Sequence, residues 1–133
     1  MPQVSNPIDE ALRNARHQRR EGRNREAERL YVEAAKLARF KNDQTALAHA
    51  LRHVSDLARA RGSSTRAWQA ASEAAALYRK SDDKLGLANS IRLKALSADD
   101  PEEAEACWQE ARDLYSQLKV DAGVTECESH LKR

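Results

Sequence analysis

The sequence contains few residues that interrupt helices or cross-link a small domain. Its 133 residues include four Gly, three Pro and one Phe, a composition that fits a helical chain with few turns. Two cysteines, Cys107 and Cys127, are too few for a disulfide framework and lack the spacing of a metal site. We therefore expect two buried, reduced thiols on neighbouring helices.

Long apolar segments are also missing. No apolar run approaches the roughly 20 residues that are needed to cross a bilayer. Residues 1–7 lack the basic and apolar regions of a secretory signal. These two absences predict a soluble, cytoplasmic protein.

Charged residues make up 33% of the chain and the mean hydropathy is −0.83, values that would favour disorder if the apolar residues were scattered. Instead, Leu and Ala recur at helical spacing, so a core can form between helices. The net charge of +2 conceals an asymmetry, because residues 1–62 carry +5 and residues 63–133 carry −3. Such a chain could attract an acidic partner or stack head to tail.

Helix start and stop signals divide the chain into seven helices. Asn6-Pro7 begins the first helix and Gly22 ends it, and Asp100-Pro101 begins the sixth. Ser63 and Ser64 are candidate caps of the fourth helix, and Asp121 is expected to cap the seventh. The predicted helices span about residues 7–21, 24–41, 43–61, 64–80, 83–98, 101–119 and 121–133.

The even-numbered helices repeat one another. The same pattern of Ala, aromatic or Ala, Ala and Leu appears after 40 residues and again after a further 37, while the third and fifth helices match over 47–52 and 87–92. The shorter second interval predicts that the fifth helix is about one turn shorter than the third. Because one helix pair cannot bury its apolar face, neighbouring pairs should stack; a closed bundle is the alternative. The repeated residues are Ala27, Tyr31, Ala34 and Leu37; Ala67, Ala71, Ala74 and Leu77; and Ala104, Trp108, Ala111 and Leu114.

The segment Gly22-Ala27-Tyr31-Ala34-Leu37 resembles the signature of the tetratricopeptide repeat family at every step, and the 40-residue interval looks more like the longer repeats of the kinesin light chain type. Departures are Ala71 in place of an aromatic and Asp99 in place of Gly. The resemblance implies an all-α, right-handed α-solenoid of antiparallel helix hairpins. Its repeats would span 7–41, 43–81 and 83–119, with a capping helix at 121–133.

In this family the first helix of each pair lines a concave groove. The resemblance therefore implies a non-catalytic module that binds a protein or peptide, with an acidic segment as one candidate, since Arg, His and Asn suit carboxylates. Solvated side chains or salt bridges between repeats are the alternative interpretation. The groove residues expected to bind the partner are Arg13, Arg16, Arg20, His49, Arg52, His53, Asp56, Arg59, Asn89 and Arg92.

The sequence contains few residue patterns that are typical of a catalytic or metal-binding site. His49 and His53 are four residues apart, as zinc ligands on a helix can be, but Ala50 stands where a metalloprotease motif needs Glu. The four glycines are isolated, so no phosphate-binding loop exists. We expect no cofactor, no metal and no enzymatic activity.

Two other functions remain open. The basic stretch 17–25 could contact nucleic-acid phosphates, although Glu21 and Glu26 dilute its charge and no aromatic residue interleaves to stack on bases. The chain could also be a structural spacer within a longer repeat array. Trp68, if exposed, would mark a dimer contact or a partner patch.

Overall fold

The computed structural model describes residues 6–132 as α-helices joined by short turns, with no strand in that range. The predicted all-α class and the seven helices are confirmed for these residues. Residues 1–5, where a secretory signal was considered, and Arg133, assigned to the last helix, lie outside the described range. The helices are α1 (Pro7–Arg20), α2 (Asn24–Phe40), α3 (Gln44–Ala60), α4 (Ser64–Arg79), α5 (Lys84–Ser97), α6 (Pro101–Gln117) and α7 (Asp121–Leu131).

The helix lengths follow the repeat intervals. Helix α3 has 17 residues and α5 has 14, so the predicted loss of about one turn is confirmed. No helix between residues 6 and 132 combines the length and the apolar composition needed to cross a membrane.

Side-chain caps fix most of the helix starts that the sequence predicts. The Asn6 side chain accepts a hydrogen bond from the backbone N–H of Ile8 at 2.8 Å, and Pro7 occupies the first turn. A cap satisfies a backbone N–H that has no partner within the helix. The same kind of bond is accepted by Asp43, Asp83 and Asp100 at the starts of α3, α5 and α6.

Two predicted caps are wrong in detail. Ser63 lies at the N-cap of α4, but its side chain makes no capping hydrogen bond. Val120 is the N-cap of α7, so Asp121 is the first residue inside that helix. The carboxylate of Asp121 lies in the first turn, where it complements the helix dipole rather than a single N–H.

Each helix packs against the next one along the chain, and α3 also packs against α5. The packed surfaces are rich in alanine, and Ala27, Ala34, Ala67 and Ala74 are completely buried. Methyl side chains let two helices approach closely. Larger residues such as Tyr31, also buried, fill the space where the helices diverge.

The repeat in the sequence is matched by repeated contacts. Tyr78 at the end of α4 lies over Gly86 of α5, and 37 residues later Tyr115 of α6 lies over Gly123 of α7. A Cβ atom on either glycine would stand 2.4 Å from the ring, so both positions exclude any larger residue while the tyrosine is present. The junctions α4–α5 and α6–α7 therefore share this contact.

Ion pairs connect alternate helices into an odd-numbered set and an even-numbered set. Because these pairs join helices that are two apart in the chain, they tie each helix pair to its neighbour. The pairs are Arg19–Asp56 and Arg92–Glu126 among the odd-numbered helices, and Arg39–Glu73 and Arg79–Glu110 among the even-numbered helices.

Candidate functional site on the odd-numbered helices

Polar side chains from α1, α3, α5 and α7 meet on one surface, which we call the odd-helix face. On α3 the apolar stripe is buried, with Leu51 at 4% exposure and Val54 at 0%. Because this stripe is packed against the core, the positions beside it on the helix lie nearer to solvent. Arg52, His53 and Asp56 are accordingly half-buried and line the face.

Arg19 of α1 organises one half of the face. Its guanidinium forms an ion pair with Asp56 and donates a hydrogen bond to Nδ1 of His53 at 2.8 Å. Arg59 donates a second bond to Asp56 at 3.1 Å. Burial raises the pKa of Asp56, but the two arginines outweigh burial and hold its pKa below the usual value. Asp56 is therefore an ionised carboxylate whose oxygens are already occupied.

His53 sits in an aromatic stack. Its ring lies parallel to that of Tyr31, with centroids 4.5 Å apart, and meets His49 edge to face at 4.7 Å. Burial, together with His49, Arg52 and Arg19, lowers the pKa of His53 to about 3. Because Nδ1 accepts the bond from Arg19, His53 is a neutral, positioned acceptor at neutral pH.

The other half of the face is formed by α5 and α7. Arg92 donates to Glu126 at 2.7 Å, and the Tyr115 hydroxyl donates to the Asn89 side-chain oxygen at 2.6 Å. Burial raises the pKa of Tyr115 to about 12, so it remains a donor. Both α5 residues predicted to bind a partner are thus engaged within the protein.

Arg52 differs from its neighbours. Its Nε–H is buried and has no hydrogen-bond partner, and no carboxylate of residues 6–132 forms an ion pair with it. It borders an open cavity of about 270 Å³. The Arg52 guanidinium also interacts with the Tyr78 side chain, which partly offsets the rise that burial causes in the pKa of that tyrosine. Arg52 is therefore partnered by a neutral hydroxyl and not by a carboxylate. The cavity is lined by Arg19, Arg52, His53, Asp56, Asn89, Arg92 and Leu93.

The three arginines predicted on α1 do not line this cavity. Arg13, Arg16 and Arg20 are exposed. Arg16 is close enough to His49 to add to the effect of burial, which lowers the pKa of that imidazole. The residue of α1 that enters the cavity is Arg19, which sequence reasoning missed. Its signal is its position seven residues, about two helical turns, after the half-buried Leu12, which places both on one side of α1.

Glu126 and Tyr115 were also missed as members of the face. Glu126 lies 37 residues after Asn89, the interval that also relates Gly86 to Gly123. Extending the repeat into α7 would have found it. The predicted equivalence of Arg52 and Arg92 holds for their positions, but their surroundings differ because only Arg92 has a carboxylate partner.

The remaining candidates lie elsewhere. Cys107 and Cys127 are free, buried thiols on α6 and α7, as predicted. Trp68 is half-buried, donates to Glu103 at 3.0 Å and lies 5.4 Å from the Lys94 ammonium, so it joins α4 to α5 and α6. Within residues 6–132 no group of three or more His, Cys, Asp or Glu side chains is arranged to hold a metal ion.

Comparisons with protein-family models, with curated proteins and with solved structures give no match to this chain.

Proposed function

We propose that this chain is a tetratricopeptide-like α-solenoid and a non-catalytic interaction module, and that its odd-helix face is a groove for a segment of another protein. The stacked-repeat arrangement is supported by the recurring Tyr78–Gly86 and Tyr115–Gly123 contacts. Ion pairs between helices two apart in the chain support it further. A stack of repeats exposes one set of helices as a continuous surface, which is the usual binding surface of such proteins.

The observation that carries the proposal is the unbalanced positive charge of this surface around an open cavity. Arg13, Arg16, Arg20 and Arg52 form no ion pair with a residue of the described range, whereas Asp56 is shared by two arginines. Such a surface attracts acidic partners and orients them before contact. A segment that carries acidic side chains is therefore the partner that the charges favour.

The chemical groups on the face favour binding over catalysis. Burial lowers the pKa of His53 to about 3 and raises that of Tyr115 to about 12, which places both far from the range in which a general acid or base works at neutral pH. Asp56 is committed to Arg19 and Arg59. The other polar groups on the face are mainly arginine guanidiniums, which act as hydrogen-bond donors.

The test compares two variants that each remove one positive charge and keep an aliphatic stem. Arg52→Met changes the odd-helix face, and Lys36→Met changes an exposed position on α2 beside a separate cavity of about 930 Å³. We expect proteins captured from a cell lysate by the wild type to be retained by Lys36→Met and lost with Arg52→Met, as measured by quantitative mass spectrometry. Equal capture by both variants would refute the groove assignment.

The same experiment separates a protein partner from nucleic acid. Nuclease treatment before capture should leave the Arg52-dependent proteins in place. If nuclease removes them, and if the purified chain binds RNA or DNA with an affinity that falls steeply with salt, the nucleic-acid alternative is the correct one.

A further inference from the structure

Three exposed apolar residues lie at one edge of the helix stack. Of the large apolar residues between positions 6 and 132, only Phe40, Leu85 and Leu118 are exposed, and Phe40 is 85% exposed. Phe40 is the last residue of α2, Leu85 is the second residue of α5, and Leu118 directly follows α6. Consecutive helices are joined by short turns and pack together, so they alternate in direction. The turns α2–α3, α4–α5 and α6–α7 therefore share an edge, which we call the apolar edge.

The repeat does not account for these three residues. The opposite edge, formed by the turns 21–23, 61–63 and 98–100, has no exposed large apolar residue. A helix hairpin of this chain can thus be completed without one, and exposed apolar side chains that collect on one surface indicate a contact with another molecule. In the other repeats the positions equivalent to Phe40, Leu85 and Leu118 carry polar or small residues, which are Lys80 and Gln117, Thr45 and Ala122, and Lys41 and Ser81.

The apolar edge also carries charges of both signs. Its three turns contain four lysines and four aspartates, and each turn has both. None of these residues forms an ion pair with a residue of the range 6–132. A surface with balanced charge can face a copy of itself, whereas its aspartates would repel an anionic membrane or a nucleic acid. The charged residues are Lys41, Asp43, Lys80, Asp82, Asp83, Lys84, Lys119 and Asp121.

We propose that the apolar edge is the interface with a second copy of this chain, and that the two copies lie antiparallel about a twofold axis. Because α4–α5 is the middle turn, the axis passes near Leu85 and brings it against Leu85 of the second copy. Phe40 then meets Leu118 of the second copy. Burying these side chains on association is favourable.

The direction of the second copy follows from the distribution of charge. Residues 1–62 carry +5 and residues 63–133 carry −3. An antiparallel arrangement places the basic half of one copy beside the acidic half of the other, whereas a parallel arrangement would place like charges together. None of Phe40, Leu85 and Leu118 lines the cavity of the odd-helix face, so this proposal and the proposed function stand or fall separately.

Sedimentation of the full-length chain over a series of concentrations tests the interface. We expect a reversible equilibrium between monomer and dimer. Phe40→Ser and Leu85→Ser should each raise the dissociation constant of the dimer by about tenfold or more, because each removes an apolar contact from both copies. The melting temperature of the dilute monomer should not fall, since both side chains are exposed. Gln109→Ser, which changes an exposed neutral residue of α6, is the control and should leave the dissociation constant unchanged.

Thiol cross-linking with a short bismaleimide tests the arrangement. Leu85→Cys should cross-link with a second copy of the same variant. Phe40→Cys and Leu118→Cys should cross-link poorly alone and efficiently when the two variants are mixed, because the antiparallel arrangement places these positions opposite each other. The wild type gives the background, since Cys107 and Cys127 are buried.

A wild type that sediments as a monomer at every concentration would overturn the proposal. So would a dimer whose dissociation constant is unchanged in both serine variants. Efficient cross-linking of Phe40→Cys with itself would overturn the antiparallel arrangement. Vesicles of phosphatidylserine and phosphatidylcholine test the competing occupant: if the monomeric chain binds them and Phe40→Ser does not, the edge contacts a lipid surface and the dimer assignment is wrong.

Discussion

Two equivalent junctions, α2–α3 and α4–α5, have their large side chains at different positions. At one pair of equivalent positions the first junction has Ala38 and Ala46, whereas the second has Tyr78 lying over Gly86. In the second junction the glycine makes room for the ring. In the first, two methyl groups occupy the same positions, so neither a ring nor a glycine is needed.

At a second pair of positions the order is reversed. The first junction has the stacked rings of Tyr31 and His53, 4.5 Å apart, and the second has the buried Ala71 and Leu93. The α6–α7 junction uses aromatic residues at both pairs, with Trp108 stacked on His130 at 3.9 Å. The three junctions therefore share equivalent contact positions, but they fill them with different residues.

The largest change in stability is expected in a double-mutant cycle on Tyr78 and Gly86, which tests this difference between the junctions. Tyr78→Ala should destabilise the protein by about 3 kcal/mol or more, because it removes a buried ring. Gly86→Ala should cost about 1–3 kcal/mol in the wild type, where Cβ meets the ring, and should stabilise by up to about 1 kcal/mol in the Tyr78→Ala background. Urea unfolding gives the free energy of unfolding of the wild type, of each single variant and of the double variant.

The matched control is Ala46→Gly in the first junction. Residue 38 is Ala, so no tyrosine ring stands at the equivalent position, and the lower helix propensity of glycine should cost about 1 kcal/mol. Loss of the packing of the partly buried Ala46 methyl group adds to this cost. A Gly86→Ala variant that is as stable as the wild type would show that the close approach of Tyr78 does not restrict position 86.

The His53 stack should make the first junction sensitive to acid. The pKa of His53 is about 3 in the folded chain against 6.5 as its ordinary value, so the unfolded chain binds a proton that the folded chain does not. Its contribution to stability is complete above pH 6.5 and is lost as pH falls toward 3, at up to about 1.4 kcal/mol per pH unit.

Between pH 6 and pH 4 the loss due to His53 should reach about 2 kcal/mol. His53→Leu, which installs the residue found at position 93, should have a correspondingly shallower pH dependence of unfolding. Asp56, other carboxylates and His49, whose pKa burial also lowers, titrate in both proteins. The difference between the two curves therefore reports His53 together with its interaction with the neighbouring His49. Parallel curves would contradict the neutral, buried state of this imidazole.

Arg52 and Arg92 test the contrast between an arginine without and an arginine with a carboxylate partner. Arg92→Met should destabilise by about 1 kcal/mol, because Glu126 loses its partner in a half-buried site that is still partly screened by water. Arg52→Met should cost about 0.5 kcal/mol or less, since it leaves no carboxylate unpaired and removes only an interaction with the neutral Tyr78 side chain. Thermal unfolding compares them directly, and equal losses would mean that the contact with Tyr78 stabilises the fold as much as the ion pair does.

The smallest effects are expected for the ion pairs of the even-numbered helices. Arg39→Gln and Arg79→Gln break equivalent, largely exposed pairs with Glu73 and Glu110. Each should cost about 0.5 kcal/mol or less, and the loss should disappear at high salt because exposed charges are screened. A clearly larger loss for one of them would show that the two junctions are not equivalent on this side.

Much of the helical framework could be predicted because its signals are local. The Asn6-Pro7 and Asp100-Pro101 starts act within one turn of the chain, and both caps form as expected. The prediction for Ser63 failed because a local signal gives only the position of the cap. Ser63 lies at the N-cap of α4, but its hydroxyl does not accept a hydrogen bond from a backbone N–H of the first turn. The interval of 37 residues correctly gave a shorter α5.

The candidate site could be predicted only in part. Position on a helix face identified Arg52, His53 and Asp56, which do line one cavity. It could not identify Arg19 as the arginine that reaches Asp56, because that depends on how α1 is rotated against α3. Position on a helix face also could not predict that Arg92 has a carboxylate partner and Arg52 has none, because the two arginines occupy equivalent positions in the repeat.

The sequence by itself determined the seven helices, their lengths and the register that relates them, because hydrophobic spacing, capping and backbone conformation act over a few residues. Only the tertiary structure decided which charges are neutralised. Arg19 and Arg92 each face a carboxylate of another helix, and Arg52 faces a cavity. Electrostatic pairing depends on distances of a few ångströms between residues more than thirty positions apart, and those distances are set by the packing of whole helices.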